Sequence, residues 1–321
     1  PAIRWQAAPK LRLNQRSINL MLASSPSNTL PGGVKLGMSS AGGIRKVLRA
    51  APYLWASPAD VFELEDHAAA LYLHTLFGLQ DDSVGCIEAV FGTHIVSWAS
   101  LLMANQDQLV KDVAAGAIRA DLALAPAVRQ RLERKLRPDP ERARAIAAAF
   151  AAGEQGVLLR LWPQLQVLST LVSGPFAVSL SRLLWLTGEQ VSICGSCFGA
   201  TEGMVGVNLW PDLQERYAVS VGTAYYEFVP LAAPHDAVPL SVEMQNLKLG
   251  EAYEVVMTTR AGLYRYRLGD VVRVVDHVGD TPVFEFDHRL DDVLDLVGEK
   301  TSGWHTQHAL MQSAAEEFDS A

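Results

Sequence analysis

One stretch of this chain limits its fold more than any other. Gln166-Val167-Leu168-Ser169-Thr170-Leu171-Val172 reads as a strand, residues 176 to 187 as a helix, and Gln190-Val191-Ser192-Ile193-Cys194 as a second strand. Strand, helix, strand at that spacing predicts a parallel α/β unit with a right-handed crossover, because parallel neighbours need a long connection and a right-twisted strand accepts that hand. From residue 216 onward the pattern changes. Tyr217 to Val221, Ala224 to Val229, Leu240 to Met244, Tyr253 to Thr259 and Val271 to Val275 alternate or run apolar between turns, which predicts a β-rich part. With 321 residues, 49% of them hydrophobic, the chain can bury a core as one large domain or two.

Ahead of the α/β unit, residues 97 to 152 follow a helical pattern almost throughout. The clearest start is Asp139-Pro140-Glu141: Asp caps free amides, Pro at the first helical position sacrifices no hydrogen bond, Glu faces the positive end of the dipole, and Gly153 closes the helix. Asp66 predicts another N-cap, for a mostly buried helix through Ala69, Leu71, Tyr72, Leu73, Leu76 and Phe77 that stops at Gly78, with short strand-like runs on both sides. Residues 1 to 56 are irregular by pattern, turn-rich at Ser24-Ser25-Pro26-Ser27-Asn28 and Pro31-Gly32-Gly33, and predict no element. The expected fold class is therefore α/β, with sheets flanked by helices and a β-rich subdomain.

Charge and composition exclude several functions. A net charge of −8 with 19% charged residues opposes a nucleic-acid surface, which needs a basic face to release phosphate counterions. The most basic stretch, Arg129 to Arg137, spaces its leucines as a helix does and reads as a solvated face. No apolar run approaches the ~18 residues of a membrane span, and Pro1-Ala2-Ile3-Arg4 has neither an initiator Met nor a signal-peptide core. A cytoplasmic monomer with no membrane or nucleic-acid partner, cut at the front, is expected. The three cysteines, Cys86, Cys194 and Cys197, make no disulfide framework. Cys194-Gly195-Ser196-Cys197 copies a redox dithiol, yet it runs into Phe198-Gly199 instead of opening a helix. Zinc would need ligands that the sequence does not cluster, His305 and His308 read as surface residues, and the Gly-x-Ser-x-Gly elbow of a hydrolase is absent.

Three short motifs carry the chemistry. Phe198-Gly199-Ala200-Thr201-Glu202-Gly203 follows the strand at 190 to 194, Tyr264-Arg265-Tyr266-Arg267-Leu268-Gly269-Asp270 comes later, and Arg289-Leu290-Asp291-Asp292 comes last. That order resembles the signature of adenylate-forming enzymes, which turn a carboxylic acid into an acyl-adenylate with ATP. A carboxylate oxygen attacks the α-phosphate and pyrophosphate leaves, so catalysis is mostly positioning and charge neutralisation. Thr201 can donate to a phosphate oxygen and Glu202 offers the hard oxygen that Mg²⁺ prefers, directly after a buried strand where an α/β sheet presents ligands. A Thr-Glu turn that caps the next segment fits the same residues. Phe198 faces adenine or fills core. Asp270, read as ending a strand Leu263 to Leu268 after a turn at Gly269, can accept both ribose hydroxyls or be only a turn residue. Arg265 and Arg267 alternate with Tyr264 and Tyr266, which predicts one pair inward and one outward.

At wider scale the chain resembles the Gretchen Hagen, or auxin-responsive, acyl-acid amido synthetases, which conjugate jasmonate, auxin or benzoates to amino acids. The residues that carry this are Trp162-Pro163, Thr201-Glu202 with Gly206-Val207-Asn208, Tyr225-Tyr226-Glu227-Phe228, Gly262 to Asp270, and Gly298-Glu299-Lys300, from about residue 30 to the end. The resemblance implies an adenylate-forming fold and two steps: acid plus ATP to acyl-adenylate, then attack by an amino-acid amine. It implies a small carboxylic acid and an amino acid as substrates, with ATP and Mg²⁺. By motif matching Thr201 would contact the α-phosphate, Glu202 Mg²⁺, Phe198, Gly199, Ala200 and Tyr225 the adenine side, Asp270 the ribose and Arg289 the nucleotide. Lys300 matches the lysine at the hinge to a mobile C-terminal domain. Phe198-Gly199 and Gly298-Glu299 depart from the plant pattern and lean toward a non-plant branch.

The resemblance further implies residues 1–298 as the large adenylation domain and 299–321 as the hinge and the start of a lid, within a longer enzyme. The loop that grips the β- and γ-phosphates is expected upstream and the lid after Lys300. Ser39-Ser40-Ala41-Gly42-Gly43 looks like such a loop but follows Pro31-Gly32-Gly33, where the family's loop precedes that point. The acid pocket is expected among the helices between 66 and 113. Two other readings share these motifs: an acyl-CoA synthetase of the same superfamily, and a relative that binds nucleotide or acid without turnover.

Overall fold

The computed structural model describes residues 15–21, 28–33, 35–36, 39–210, 216–231, 240–290, 293–294, 301–302, 306, 309 and 312–313. These divide into two compact units, one from the described residues up to Leu171 together with Ser179–Ile193, the other from Val172–Val178 and from Cys194 onward.

The first unit holds strands β1 (Ser17–Asn19), β2 (Asn28–Thr29), β3 (Lys35–Leu36), β4 (Cys86–Phe91), β5 (Val167–Leu171) and β6 (Ser192–Cys194). Its main sheet runs β1-β4-β5-β6, with β1–β4 and β4–β5 parallel. The α/β expectation is met, and the link from β5 to β6 is one 3₁₀ segment, Gly174–Ser179, followed by the helix Leu180–Thr187. The helix His67–Leu79 is apolar on nearly every side and, Leu71 apart, buried from Ala69 onward. Asp66 caps it as expected, its carboxylate accepting from the amides of Ala68 and Ala69 at 2.9 and 3.1 Å. The Trp162 indole donates to the Gly78 carbonyl at 2.8 Å and stacks on Trp98, whose own indole donates to Thr75 Oγ1 at 2.7 Å. These bonds let two buried indoles keep partners for their N–H groups.

The helical stretch after β4 resolves into Gly92–Ala104, Gln106–Ala115, Pro126–Glu133 and Pro140–Ala151. Asp139 caps the last of these through the Arg142 amide at 2.8 Å. The Arg142 guanidinium donates to the carbonyls of Leu79 and Leu161 at 2.8 and 2.6 Å, tying two helix C-termini to a third helix. The basic stretch is more than a solvated face. Arg129 donates to the carbonyls of Ile118, Arg119 and Leu122, and Arg131 and Lys135 both pair with Asp60 at 2.8 Å.

Two expectations for this unit are corrected. Residues 39 to 54 are not irregular: they form the helices Ser39–Val47 and Ala51–Leu54 around a 3₁₀ turn. Gly42 and Gly43 hide that helix in the sequence, but Ile44, Ala51, Trp55 and Phe62 bury one another, and tertiary burial outweighs weak propensity. The strand-like run before Asp66 is a short helix, Ala59–Phe62, whose Val61 and Phe62 enter the core.

The second unit holds β7 (Cys197–Gly199), β8 (Met204–Val207), β9 (Tyr217–Val219), β10 (Tyr225–Pro230), β11 (Val242–Glu243), β12 (Ala252–Thr258), β13 (Tyr266–Val278) and β14 (Thr281–Arg289), with a short pair β15 (Val293–Leu294) and β16 (Thr301–Ser302). The first eight form one sheet in the order β11-β10-β12-β13-β14-β9-β8-β7, with neighbouring strands antiparallel. Its core is Val205, Tyr217, Tyr226, Phe228, Val255, Met257, Leu268, Val272 and Phe284, with their neighbours. The β-rich expectation is met, with one large difference. No strand ends at Leu268; β13 runs on through Asp270 to Val278 and bulges between Val271 and Val272. Gly269 is not a turn residue but sits inside the strand at φ +77°, a conformation that only Gly takes freely and that lets a strand bend without ending.

Candidate functional site

The β7–β8 hairpin brings Thr201 and Glu202 to its tip. Ala200 and Gly203 exchange main-chain hydrogen bonds at 2.9 and 3.2 Å, which leaves a two-residue loop. Thr201 and Glu202 therefore do not follow a strand of the parallel sheet, as expected; they turn between two antiparallel strands. The reason is that β7 finds its partner locally, Phe198 opposite Gly206 and Cys197 opposite Val207. Thr201 is exposed, Glu202 half-buried, Gly199 exposed and Ala200 half-buried. The Phe198 ring packs against Tyr217, Phe284 and Phe286 at centroid distances of 5.8, 5.6 and 5.7 Å, so of its two readings it takes the core-filling one.

Asp270 stands in register with Arg289 across β13 and β14 and is buried, with 7% of its surface exposed. The Arg289 guanidinium lies 3.7 Å from its carboxylate. Burial pushes the Asp270 carboxyl above its ordinary value; Arg289 pulls it back, and the Glu202 charge pushes it further up. Glu202 and Asp270 thus act in one field although 68 positions separate them in the sequence. Tyr266 completes the group. The Glu202 carboxylate near it pushes its phenol above its usual value. The three motifs therefore meet: Glu202 from the first, Tyr266 and Asp270 from the second, Arg289 from the third.

Tyr266 is the residue that sequence reasoning left open. The expected split into one inward and one outward pair fails, since Tyr264, Arg265, Tyr266 and Arg267 are all exposed. Strand alternation does not govern the first two, because β13 begins only at Tyr266 and Arg265 adopts φ +46°. Both arginines are engaged with carboxylates of neighbouring strands, Arg265 with Glu227 at 3.1 Å and Arg267 with Glu254 at 2.9 Å. The usable signal was cross-strand: Tyr266 pairs with Met257, a core residue.

Tyr225 opens β10 and is 56% exposed. Lys300, Asp291, Asp292, His305 and His308 lie outside the described residues. Ser39 to Gly43 form helix and not a phosphate-gripping loop. Cys194 and Cys197 form no disulfide with each other. Burial pushes the Cys197 thiol up, against a bond to Ser196, which is the reverse of a reactive dithiol. Among the described residues no group of three or more His, Cys, Asp or Glu is placed to hold a metal, and no helix is long and apolar enough to cross a membrane.

In the first unit, a cavity of about 330 Å³ opens among the helices where the acid pocket was expected. Tyr72, Thr75, Trp98, Leu102, Leu109 and Arg119 line it. Its polar groups already have partners: Tyr72 bonds Asp112 at 2.8 Å, Trp98 bonds Thr75, and Arg119 bonds Asp121.

Comparison with known proteins bears on the whole chain. Residues 3–190 match the GH3 family N-terminal domain and residues 217–289 the GH3 family central domain. An indole-3-acetic acid-amido synthetase, GH3.8, of Oryza sativa subsp. indica is 32% identical over 270 residues, covering 81% of this chain and 44% of that protein. A jasmonoyl–L-amino acid synthetase, JAR4, of Nicotiana attenuata is 29% identical over 314 residues, covering 94% and 54%. The chain spans about half the length of these relatives. Both are plant proteins and lend no support to a non-plant branch. Among solved structures, the GH3.15 acyl acid amido synthetase superposes with a TM-score of 0.81 at 23% identity, over 93% of this chain and 52% of that one, which establishes a shared fold.

Proposed function

The chain belongs to the GH3 family, and on that premise we propose that it carries the adenylation machinery of an acyl-acid amido synthetase. In this reading a small carboxylic acid and ATP give an acyl-adenylate and pyrophosphate, and an amino-acid amine then takes the acyl group and releases AMP. One observation carries it: three motifs far apart in the sequence put Glu202, Tyr266, Asp270 and Arg289 into a single electrostatic cluster. The matched relatives are synthetases that join acids to amino acids by name.

Roles follow from chemistry. Thr201, exposed at a hairpin tip, has a hydroxyl to donate to the α-phosphate. Glu202 would hold Mg²⁺; a half-buried carboxylate beside an exposed phosphate site suits an ion bound through one or two carboxylates, waters and substrate phosphates. The ion, when bound, neutralises charge on the phosphates. Asp270 accepts from the ribose hydroxyls, Arg289 balances its charge against the nucleotide, and exposed Tyr225, with Gly199 and Ala200, gives the adenine a flat wall. Phe198 supports that wall from within the aromatic cluster. Lys300 belongs to the hinge, with residues 1–298 as adenylation domain and 299–321 as hinge and start of the lid. The acid lies toward the helices between 66 and 113. The same reading makes the protein a cytoplasmic monomer that works on small molecules.

The test incubates the complete gene product with ATP, Mg²⁺ and pooled aryl, indole and short-chain acids, adding amino acids or coenzyme A, and reads products by mass. N-acyl amino acids with AMP are expected, and coenzyme A should add nothing. Acyl-CoA without amides would replace this reading by a thioester-forming enzyme. No AMP with any acid would leave a binding protein.

A further inference from the structure

Among the described residues Arg265 is the only one other than glycine with a positive φ, at +46°. A left-handed backbone crowds the Cβ of such a residue, and it persists only where surrounding contacts over-determine it. The contacts here are specific. The Arg265 amide donates to Thr258 Oγ1, at the end of β12, at 3.0 Å. Its Nε donates to Glu227 of β10 at 3.1 Å and a terminal nitrogen to Ser241 Oγ at 3.2 Å, while Ser241, just ahead of β11, donates to the other Glu227 oxygen at 2.6 Å. Glycine would take this φ freely but would bring no guanidinium. One side chain thus closes a ring of bonds that ties the start of β13 to β10 across β12.

The clamp lies behind the seat of the β7–β8 turn. Along β10, Tyr226 and Phe228 enter the core, so Tyr225 and Glu227 leave the sheet on its other face, and the Arg265 guanidinium joins them there. On the core side Tyr226, Met257 and Tyr266 stand in register across β10, β12 and β13. The turn rests on two of them. The Met204 carbonyl accepts from the Tyr226 hydroxyl, and a Cβ on Gly203 would lie 3.0 Å from the Met257 methyl. Thr258 directly follows Met257 and Arg265 directly precedes Tyr266. The strand ends that carry the turn on one face are therefore those that Arg265 ties together on the other.

We propose that Arg265 is a positioning residue for nucleotide binding, holding the ends of β10, β12 and β13 at the spacing that sets Tyr225, Asp270 and the Thr201–Glu202 turn around one ligand. What those residues bind rests on the adenylation reading; the clamp rests on its bonds. Without it each contact residue keeps its place in the chain, but their mutual distances are no longer set before the nucleotide arrives, and the ordering cost falls on binding.

The experiment uses Arg265→Gly, Glu227→Ala and the double variant of the complete gene product. Arg265→Gly removes the guanidinium and relieves the backbone, so its fold should hold. Hydrogen exchange without nucleotide reads the clamp. In Glu227→Ala, which leaves the turn's own sequence unchanged, the peptide covering residues 257–266 should exchange faster, since the amides of Thr259, Gly262 and Arg265 are hydrogen-bonded there. Unchanged exchange would overturn the proposal and leave the adenylation reading untouched. Calorimetry with ATP and Mg²⁺ reads the purpose. Arg265→Gly should weaken affinity roughly tenfold at unchanged stoichiometry. Fewer sites per chain at wild-type affinity would show a merely structural role and overturn the proposal. Because both residues form one clamp, the double variant should bind no more weakly than Arg265→Gly. Losses that multiply would mean that Arg265 works through another partner and would overturn it as well. Faster exchange in Glu227→Ala with no ATP binding by the wild type would keep the clamp and sink the adenylation reading, and with it the purpose given to Arg265.

Discussion

The hydroxyl of Tyr226 on β10 donates to the main-chain carbonyl of Met204 on β8, although β12, β13, β14 and β9 lie between those strands in the sheet order. In a flat sheet five strand spacings of ~4.8 Å would separate them by roughly 24 Å. The bond therefore records a sheet curled until one end returns to the other, with the core enclosed by the curl. Thr223 reinforces the seam, its Oγ1 lying 2.7 Å from the same carbonyl and 2.8 Å from the Tyr226 hydroxyl.

Tyr226→Phe keeps the ring and removes the donor. Thr223 still satisfies the Met204 carbonyl, so the expected loss is that of one net hydrogen bond, ~1 kcal/mol. Urea unfolding checks it as a lower midpoint at unchanged slope. A change within error would show that Thr223 alone closes the seam.

Gly206 lies in β8, packed against the core of this sheet. A Cβ there would meet the Phe284 ring at 2.7 Å and the Cβ of Tyr217 at 2.8 Å, both buried and neither a flexible side-chain end. Gly206→Ala should destabilise by ~1–3 kcal/mol as overpacking. Gly222, where an added Cβ meets nothing within 4 Å, is the control, and Gly222→Ala should change little. Equal melting temperatures for the two variants would contradict this packing.

Much of the first unit was legible because its signals are local. Asp66 and Asp139 announce their helices within three residues, and the strand-helix-strand at 166 to 194 needs only its own periodicity. The helix at 39 to 47 was hidden, since Gly42 and Gly43 argue against it and the partners of Ile44 lie elsewhere in the chain. β13 was cut short for a related reason: Gly269 looks like a turn, and only pairing with β12 and β14 on both sides keeps it in a strand. At the site, the order of motifs named Glu202, Asp270 and Arg289, but it could not join them. Their meeting depends on the curl, a long-range property that no short motif encodes, and Tyr266 belongs to the group only because of it.

His74 makes stability depend on pH. It is fully buried, its Nδ1 2.8 Å from Ser57 Oγ and its ring edge-on to Phe62. Burial first, and the His67 charge second, push its pKa down to about 3 from 6.5. The unfolded chain takes a proton near 6.5 and the folded protein refuses it until about 3, so stability is lost as pH falls through that window. The slope from this residue is at most ~1.4 kcal/mol per pH unit. His74→Leu should be less stable at pH 7.5, where Ser57 loses its partner, yet decline less between pH 6.5 and 5. Parallel declines in urea midpoint would assign the acid sensitivity to other groups.

The nucleotide reading stands or falls most directly on Asp270. It is buried beside Arg289, itself 58% exposed, so its removal leaves the cation in contact with water and costs the fold little. For a ribose the loss is larger, because a carboxylate that accepts two hydroxyls makes charge-assisted bonds that water must replace. Asp270→Ala should weaken ATP binding ~10–100-fold, the equivalent of ~1.5–3 kcal/mol, at a nearly unchanged melting temperature. Glu202→Gln should leave affinity for metal-free nucleotide close to wild type, since its proposed part begins with Mg²⁺. Calorimetry with ATP, with and without Mg²⁺, separates the two variants. Unchanged affinity in Asp270→Ala would remove the ribose from Asp270, and a loss of metal-free affinity in Glu202→Gln would move Glu202 from the ion to the nucleotide.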